Sequence, residues 1–278
     1  MWKLGHFVAS LAVLLPFLVH TPATAQQPAQ ESTLDVVKKR GVLIAGLRKD
    51  LPPIAFVDKQ GQWVGFEVEL SELIAKKLGV KLQRVEAGAS TRIPLLVNGN
   101  IDYVMNGMIP SAERAKVIDF SMPYLFYSQK ILTKKGSGII GVNSLAGKKL
   151  GVTQGSLEAA LIAILQPKAE FVFFQEWPQT VLALKNGKVD AVSTTDFILK
   201  AMAGGDPNLE ILDDSLGWFP MMMGVRQNDS KWRLALDQAI NEVWADGSYL
   251  QIYEKYFDGK KPPFRLPIWA DYVVKSKH

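Results

Sequence analysis

Two α/β lobes joined by two crossing strands is the fold class expected for this chain, and three observations lead to it. Short apolar runs suited to strands alternate with segments whose apolar residues recur at helical spacing. A unit made of a helix end, an Asn-Gly stop and a strand occurs twice, over residues 95–104 and 182–192, with Asn98-Gly99 and Asn186-Gly187 88 residues apart. Strand-like segments at 130–133 and 220–225 bracket the second copy. The chain should therefore enter a second lobe and return, leaving the first lobe discontinuous.

Taken in order, residues 1–6 carry Lys3, residues 7–19 are almost wholly apolar, and Ala23-Thr24-Ala25 supplies small residues at a cleavage position. This pattern predicts a secretory signal over residues 1–25, cut before Gln26. The apolar run is short and interrupted by Pro16, which argues against a membrane span. Residues 26–33 are polar and read as a loose lead. The run 42–47 suits a buried strand, and Leu51-Pro52-Pro53 breaks it. Lys59-Gln60-Gly61-Gln62 reads as a turn. Residues 67–78 place Leu70, Leu73, Ile74 and Leu78 on one helix face, with Gly79 as the stop. Strand 80–85 and the first helix–Asn-Gly–strand unit follow.

The second set repeats that order: strand 149–152, loop 153–155, helix 156–165 and strand 170–174, ahead of the second unit. After the returning strand, residues 231–246 form a helix with Leu236, Ile240, Val243 and Trp244 on one face. The expected boundaries are residues 26–130 and 225–278 for the first lobe and 131–224 for the second. A ligand belongs in the cleft, where loops at strand ends converge.

Composition removes several chemistries. There is no cysteine, so disulfides, thiolate nucleophiles and zinc–cysteine sites are excluded. The histidines are His6, His20 and His278. The body of the chain therefore has none for a Ser-His-Asp triad or a His-rich metal site. The net charge of +5 falls to +4 without Lys3, and the basic residues are interspersed with acidic ones. No stripe suited to nucleic acid results. The reading is a binder without metal or cofactor.

At this point the residues resemble a known family. Gly65-Phe66-Glu67-Val68-Glu69-Leu70, Arg92-Ile93-Pro94 and Tyr253-Glu254-Lys255-Tyr256-Phe257 resemble the polar-amino-acid-binding proteins of bacterial ABC importers. The most specific match is Ser111-Ala112-Glu113-Arg114-Ala115-Lys116-Val117-Ile118-Asp119-Phe120-Ser121-Met122-Pro123-Tyr124. Arg92-Ile93-Pro94-Leu95-Leu96 and Leu132-Thr133-Lys134-Lys135-Gly136 look most like the glutamate/aspartate binders within that family. The resemblance implies a two-lobed, type II periplasmic-binding-protein-like fold. It also implies a monomer in the periplasm that captures a small carboxylate ligand, an amino acid or a dicarboxylate, and delivers it to an ABC transporter permease in the inner membrane. The alternative is an exported dehydratase-type enzyme of the same fold.

The resemblance also assigns residues. Arg114 matches the arginine that grips the ligand α-carboxylate, and a guanidinium fork suits that task. Ser156 and the backbone N–H groups around it would add to the grip. Arg48 matches the position of an arginine for a side-chain carboxylate. Thr195 stands at the usual position of the acidic ammonium partner, with Asp196 one step on. Leu51 stands where an aromatic usually stacks on the ligand. Gly107 and Ile109 belong to the carboxylate region, Ile109 replacing a hydroxyl, and Leu157 replaces a small polar residue. With no acidic residue at the ammonium position and two arginines in place, the expected ligand is acidic, with little dependence on its amino group.

Overall fold

The computed structural model describes residues 31–156 and 158–275. The expected signal segment, Leu157 and His278 lie outside the described residues. Among the described residues, no helix is long and apolar enough to cross a membrane.

Helix α1 (Thr33–Arg40) starts where the Ser32 hydroxyl accepts from Leu34 N–H and ends at Gly41 in the left-handed region, where lack of a Cβ removes the steric cost. The first lobe then builds β1 (Val42–Leu47), a small antiparallel sheet of β2 (Asp50–Leu51), β3 (Ala55–Val57) and β4 (Trp63–Val64), helix α2 (Phe66–Lys77), β5 (Lys81–Glu86), α3 (Arg92–Val97), β6 (Tyr103–Val104) and the single turn α4 (Ala112–Ala115). Strand β7 (Ile118–Lys134) carries the chain across. The second lobe holds β8 (Lys149–Thr153), α5 (Glu158–Leu165), β9 (Glu170–Phe174), α6 (Trp177–Lys185), β10 (Ala191–Thr195), α7 (Asp196–Ala203) and β11 (Leu209–Ile211). Strand β12 (Trp218–Arg226) returns to α8 (Ser230–Ala245), α9 (Ser248–Tyr256) and α10 (Ala270–Lys275).

The strand order β5-β1-β6-β12-β7-β10-β8-β9, with β11 on β7, gives each lobe its own half-sheet. Within the lobes β1 runs parallel to β5 and β6, and β8 parallel to β9 and β10, as strand–helix–strand units require. The crossing strands are antiparallel to their neighbours. Each enters one lobe from the other, so the sheet is mixed rather than purely parallel. Strand β7 is much longer than residues 130–133. It pairs with β12 as far as Ser128 and with β10 from Gln129. Pro123 within it lacks an N–H, and the ladder absorbs this with register shifts beside Met222.

The first-lobe core brings Phe66, without exposed surface, edge-on to Tyr249 at 5.5 Å between centroids. Trp232 on α8 is likewise fully buried, and its indole N–H donates to Asp102 O (3.0 Å). Gly65 precedes α2 with φ +131°, and a Cβ there would meet Ile54 O at 2.4 Å. This close approach pins the hairpin sheet against α2. The consequence for function lies at the C-terminal ends of β1, β6, β8 and β10. All four deliver their following residues to one cleft, the arrangement open α/β sheets use for ligands.

Candidate ligand-binding site

A cavity of about 50 Å³ lies between the lobes. That is the space of a few water molecules at the roughly 10–15 Å³ each needs. Arg48, Leu51, Gly107, Ile109, Arg114, Ser156 and Thr195 all line it. Asp196 does not; it lines a separate, larger groove of about 690 Å³.

Arg114 is held by α4, whose first turn is capped when the Ser111 hydroxyl accepts from Arg114 N–H (3.3 Å). Its Nη1 donates to Ile109 O (2.6 Å) and its Nη2 to Gly155 O (2.9 Å). The second bond crosses from first-lobe to second-lobe backbone. Burial lowers this guanidinium from its ordinary value while Glu158 pulls it back up. The loop after β6 is fixed from behind by Glu67, which is completely buried. Glu67 accepts from Asn106 N–H (2.8 Å), Gly107 N–H (2.8 Å) and the Tyr124 hydroxyl (2.5 Å). Asn106 and Gly107 both adopt positive φ, 57° and 56°. Arg92, from α3, donates Nη1 to Asn106 O (2.9 Å). Burial and the neighbouring Arg114 and Arg48 push Arg92 down to about 9.

Arg48 follows β1 and is only 5% exposed. It forms a two-pronged pair with Asp50, Nε to Oδ1 at 2.7 Å and Nη2 to Oδ2 at 2.6 Å, and Nη2 also reaches Glu176 at the start of α6. Its charge is thus shared between two carboxylates, one in each lobe. Thr195 caps α7, its hydroxyl accepting from Ile198 N–H (3.4 Å). Asp196 begins that helix and its carboxylate accepts from its neighbour Phe197 N–H (2.9 Å). The one-residue step between Thr195 and Asp196 sends the two side chains to different cavities.

Six buried polar side-chain atoms lack a hydrogen-bond partner among the described residues. Five of them, Arg92 Nε, Asn106 Oδ1, Tyr127 OH, Ser156 Oγ and Glu158 Oε2, belong to residues lining this one cavity. Buried polar groups are normally satisfied, so such a concentration marks a surface built to receive a polar ligand. The sequence reading did not assign Tyr127, Glu158 or Thr194 to the site. Tyr127 lies inside a long strand with no local motif. Glu158 opens a helix, where glutamate ordinarily serves only the helix dipole.

The family model for bacterial extracellular solute-binding proteins, family 3, matches residues 43–259. A glutamine-binding protein of Geobacillus stearothermophilus is 34% identical over 209 residues, 72% of this chain and 79% of that protein. An ABC transporter glutamine-binding protein of Bacillus subtilis is 30% identical over 237 residues, 84% of this chain and 87% of its own length. Among solved structures, an ancestral amino-acid-binding protein described as a precursor of cyclohexadienyl dehydratase superposes with a TM-score of 0.75 at 31% identity. That match covers 82% of this chain and 100% of the other.

Proposed function

Since the chain belongs to the bacterial extracellular solute-binding proteins, family 3, we propose that its cleft captures one free amino acid and that the closed, loaded form is what an ABC importer receives. The observation that carries this reading is the set of five unpartnered buried polar atoms gathered round Arg114 in one small interlobe cavity. The relatives that match are named for binding, and the chain is read as a binder rather than an enzyme. It acts outside the cytoplasmic membrane as a monomer, after loss of residues 1–25. Its lobes comprise residues 26–130 with 225–278, and 131–224.

In this reading Arg114 takes the α-carboxylate, with Ser156 Oγ and the Gly107 and Ser156 backbone beside it. Leu51, Ile109 and Ile198 supply the apolar wall. The expectation of an acidic ligand rested on a free Arg48. With Arg48 already facing Asp50 and Glu176, a second ligand carboxylate would meet those two as well as the guanidinium. The proposed ligand is therefore an amino acid with a neutral polar or cationic side chain. Glutamine should bind more tightly than glutamate.

The test is calorimetry on the chain from Gln26 onward with glutamine, glutamate and arginine. Replacing Arg114 by Ala should cost about 2–5 kcal/mol of binding, the range for removing one partner of a buried charge pair. Near-normal affinity in that variant would remove Arg114 from the site. Glutamate binding more tightly than glutamine would restore Arg48 as a side-chain anchor.

A further inference from the structure

An amino acid brings an ammonium as well as a carboxylate, and a buried ammonium without an acceptor is costly. The residue at the expected ammonium position, Thr195, is uncharged and spends its hydroxyl capping α7. Asp196 faces the other groove. Asp50 and Glu176 are committed to Arg48. Glu67 stands behind the Asn106–Gly107 loop with its oxygens occupied by two backbone N–H groups and Tyr124. Among the lining residues, one carboxyl is left: Glu158.

Glu158 is 4% exposed. Its Oε1 accepts from the Thr194 hydroxyl at 3.3 Å, and the nearby Ser156 hydroxyl and its own N–H also draw on the carboxyl, but its Oε2 makes no well-formed hydrogen bond among the described residues. A glutamate that merely favours its helix dipole sits in solvent. A buried structural one is fully hydrogen-bonded, because an orphaned carboxyl oxygen is expensive. Glu158 meets neither description. The groups that face it are Ser156 ahead of its own helix, Thr194 on β10, Tyr127 on β7, Arg114 on α4 and Arg92 on α3. Arg114, the proposed carboxylate anchor, is thus a charged neighbour of Glu158. An α-amino acid, whose two charged groups hang from one carbon, needs a carboxylate anchor and an ammonium acceptor as neighbours in this way.

We propose that Glu158 is the ammonium-binding residue of the cleft, with the Tyr127 and Thr194 hydroxyls beside it, replacing the acidic residue that Thr195 lacks. This rests on the amino-acid reading above and goes further. It makes the α-amino group a strict requirement, the opposite of the weak dependence that the sequence at positions 195 and 196 suggests. Charge balance agrees. Three guanidiniums, Arg48, Arg92 and Arg114, stand against four carboxyls, Asp50, Glu176, Glu67 and Glu158, so the surround is not a cationic one built for an anion alone.

The proposal has a proton-linkage consequence. Burial pushes the Glu158 carboxyl above its usual range, against the pull of Ser156, Thr194 and Arg114. An arriving ammonium stabilises the carboxylate and draws that value down. Binding should therefore release a proton, and affinity should rise as the pH climbs out of the ordinary carboxylate range.

The experiment pairs each amino acid with its deaminated counterpart, L-glutamine with glutaramate and L-arginine with 5-guanidinopentanoate, on wild type and Glu158→Gln. For the amino acid that wild type binds more tightly, the substitution should lower affinity roughly 10- to 100-fold, the value of a hydrogen bond to a charged group. The deaminated partner, already weak, should change by less than about threefold. Equal losses for both members of the pair overturn the proposal and leave the binding function standing. No binding of either amino acid to wild type overturns the functional reading itself, and the proposal with it. Should Glu158→Gln not fold, wild-type calorimetry in two buffers of different ionisation enthalpy decides. Absence of proton release on amino-acid binding at every pH from the ordinary carboxylate range up to neutrality sinks the proposal.

Discussion

Glu67 shows how a single residue prepares the cleft without touching its contents. The carboxyl has no exposed surface and takes three hydrogen bonds, from Asn106 N–H, Gly107 N–H and Tyr124 OH. Burial pushes it up, and those three donors pull it down. Two consecutive residues in the left-handed region are held open by this one side chain, and Arg92 leans on the same loop through Asn106 O. Glu67→Ala should cost about 3–5 kcal/mol of stability, because it strands two N–H groups, a hydroxyl and the Arg92 charge in the interior. Urea unfolding measures this. A loss below about 1 kcal/mol would mean the loop holds itself. Single residues were legible in the sequence only where a motif framed them. Arg114 is framed by the 111–124 block, and it lines the interlobe cavity. Glu67, within Gly65–Leu70, carries no local sign that its partners come from 39 to 57 residues downstream. Glu158 is not legible in the sequence, because burial, not residue type, is what distinguishes it from a helix-start glutamate.

At the level of elements, the internal repeat extends further than its Asn-Gly marks. Helices α3 and α6 end at Asn98 and Asn186, and Gly99 and Gly187 follow with φ of 77° and 71°. Asp102 and Asp190, again 88 residues apart, then make the same pair of bonds in each lobe. The side chain of Asp102 accepts from Ile44 N–H (2.7 Å) and its N–H donates to Ile44 O (2.8 Å). The side chain of Asp190 accepts from Lys149 N–H (2.8 Å) and its N–H donates to Lys149 O (2.7 Å). Each aspartate thereby fixes the register of the strand entering the site against its neighbour. Their surroundings differ, and so should their weights. Asp102 is buried and also paired with Arg40, so Asp102→Ala should cost about 3–5 kcal/mol. Asp190 is exposed, and Asp190→Ala should cost about 1 kcal/mol or less. Thermal or urea melts compare the two; equal effects would show that burial does not set the difference. The repeat was readable because Asn-Gly stops and apolar strands are local signals. The full length of β7 was not readable, because its run from Ile118 is irregular in hydrophobicity and contains Pro123. Its strand conformation comes from β12, about a hundred residues away.

For the molecule as a whole, the two lobes are tied across the cleft by side chains that are not proposed to carry the ligand. The bidentate Arg48–Asp50 pair belongs to the first lobe, and Glu176, whose side chain is 45% exposed, reaches it from the start of α6 in the second. This contact exists only with the lobes together. It therefore favours the closed form with or without ligand, and a ligand needs to supply correspondingly less to hold closure. Glu176→Gln isolates this contribution. Arg48 keeps Asp50, so no uncompensated buried charge is created, and fold stability should move by less than about 0.5 kcal/mol. Closure should lose about 0.2–1 kcal/mol, the usual worth of a partly exposed ion pair. Affinity for the bound amino acid should then fall by no more than about fivefold. The fall should lie in a faster dissociation rate, since the bridge forms after the ligand has entered. Added salt should narrow the gap between variant and wild type, because the pair is partly screened already. Stopped-flow dissociation, with small-angle scattering of the ligand-free protein to follow lobe separation, reads both effects. Unchanged dissociation together with an unchanged radius of gyration would show that the bridge adds nothing to closure and that the ligand alone draws the lobes together.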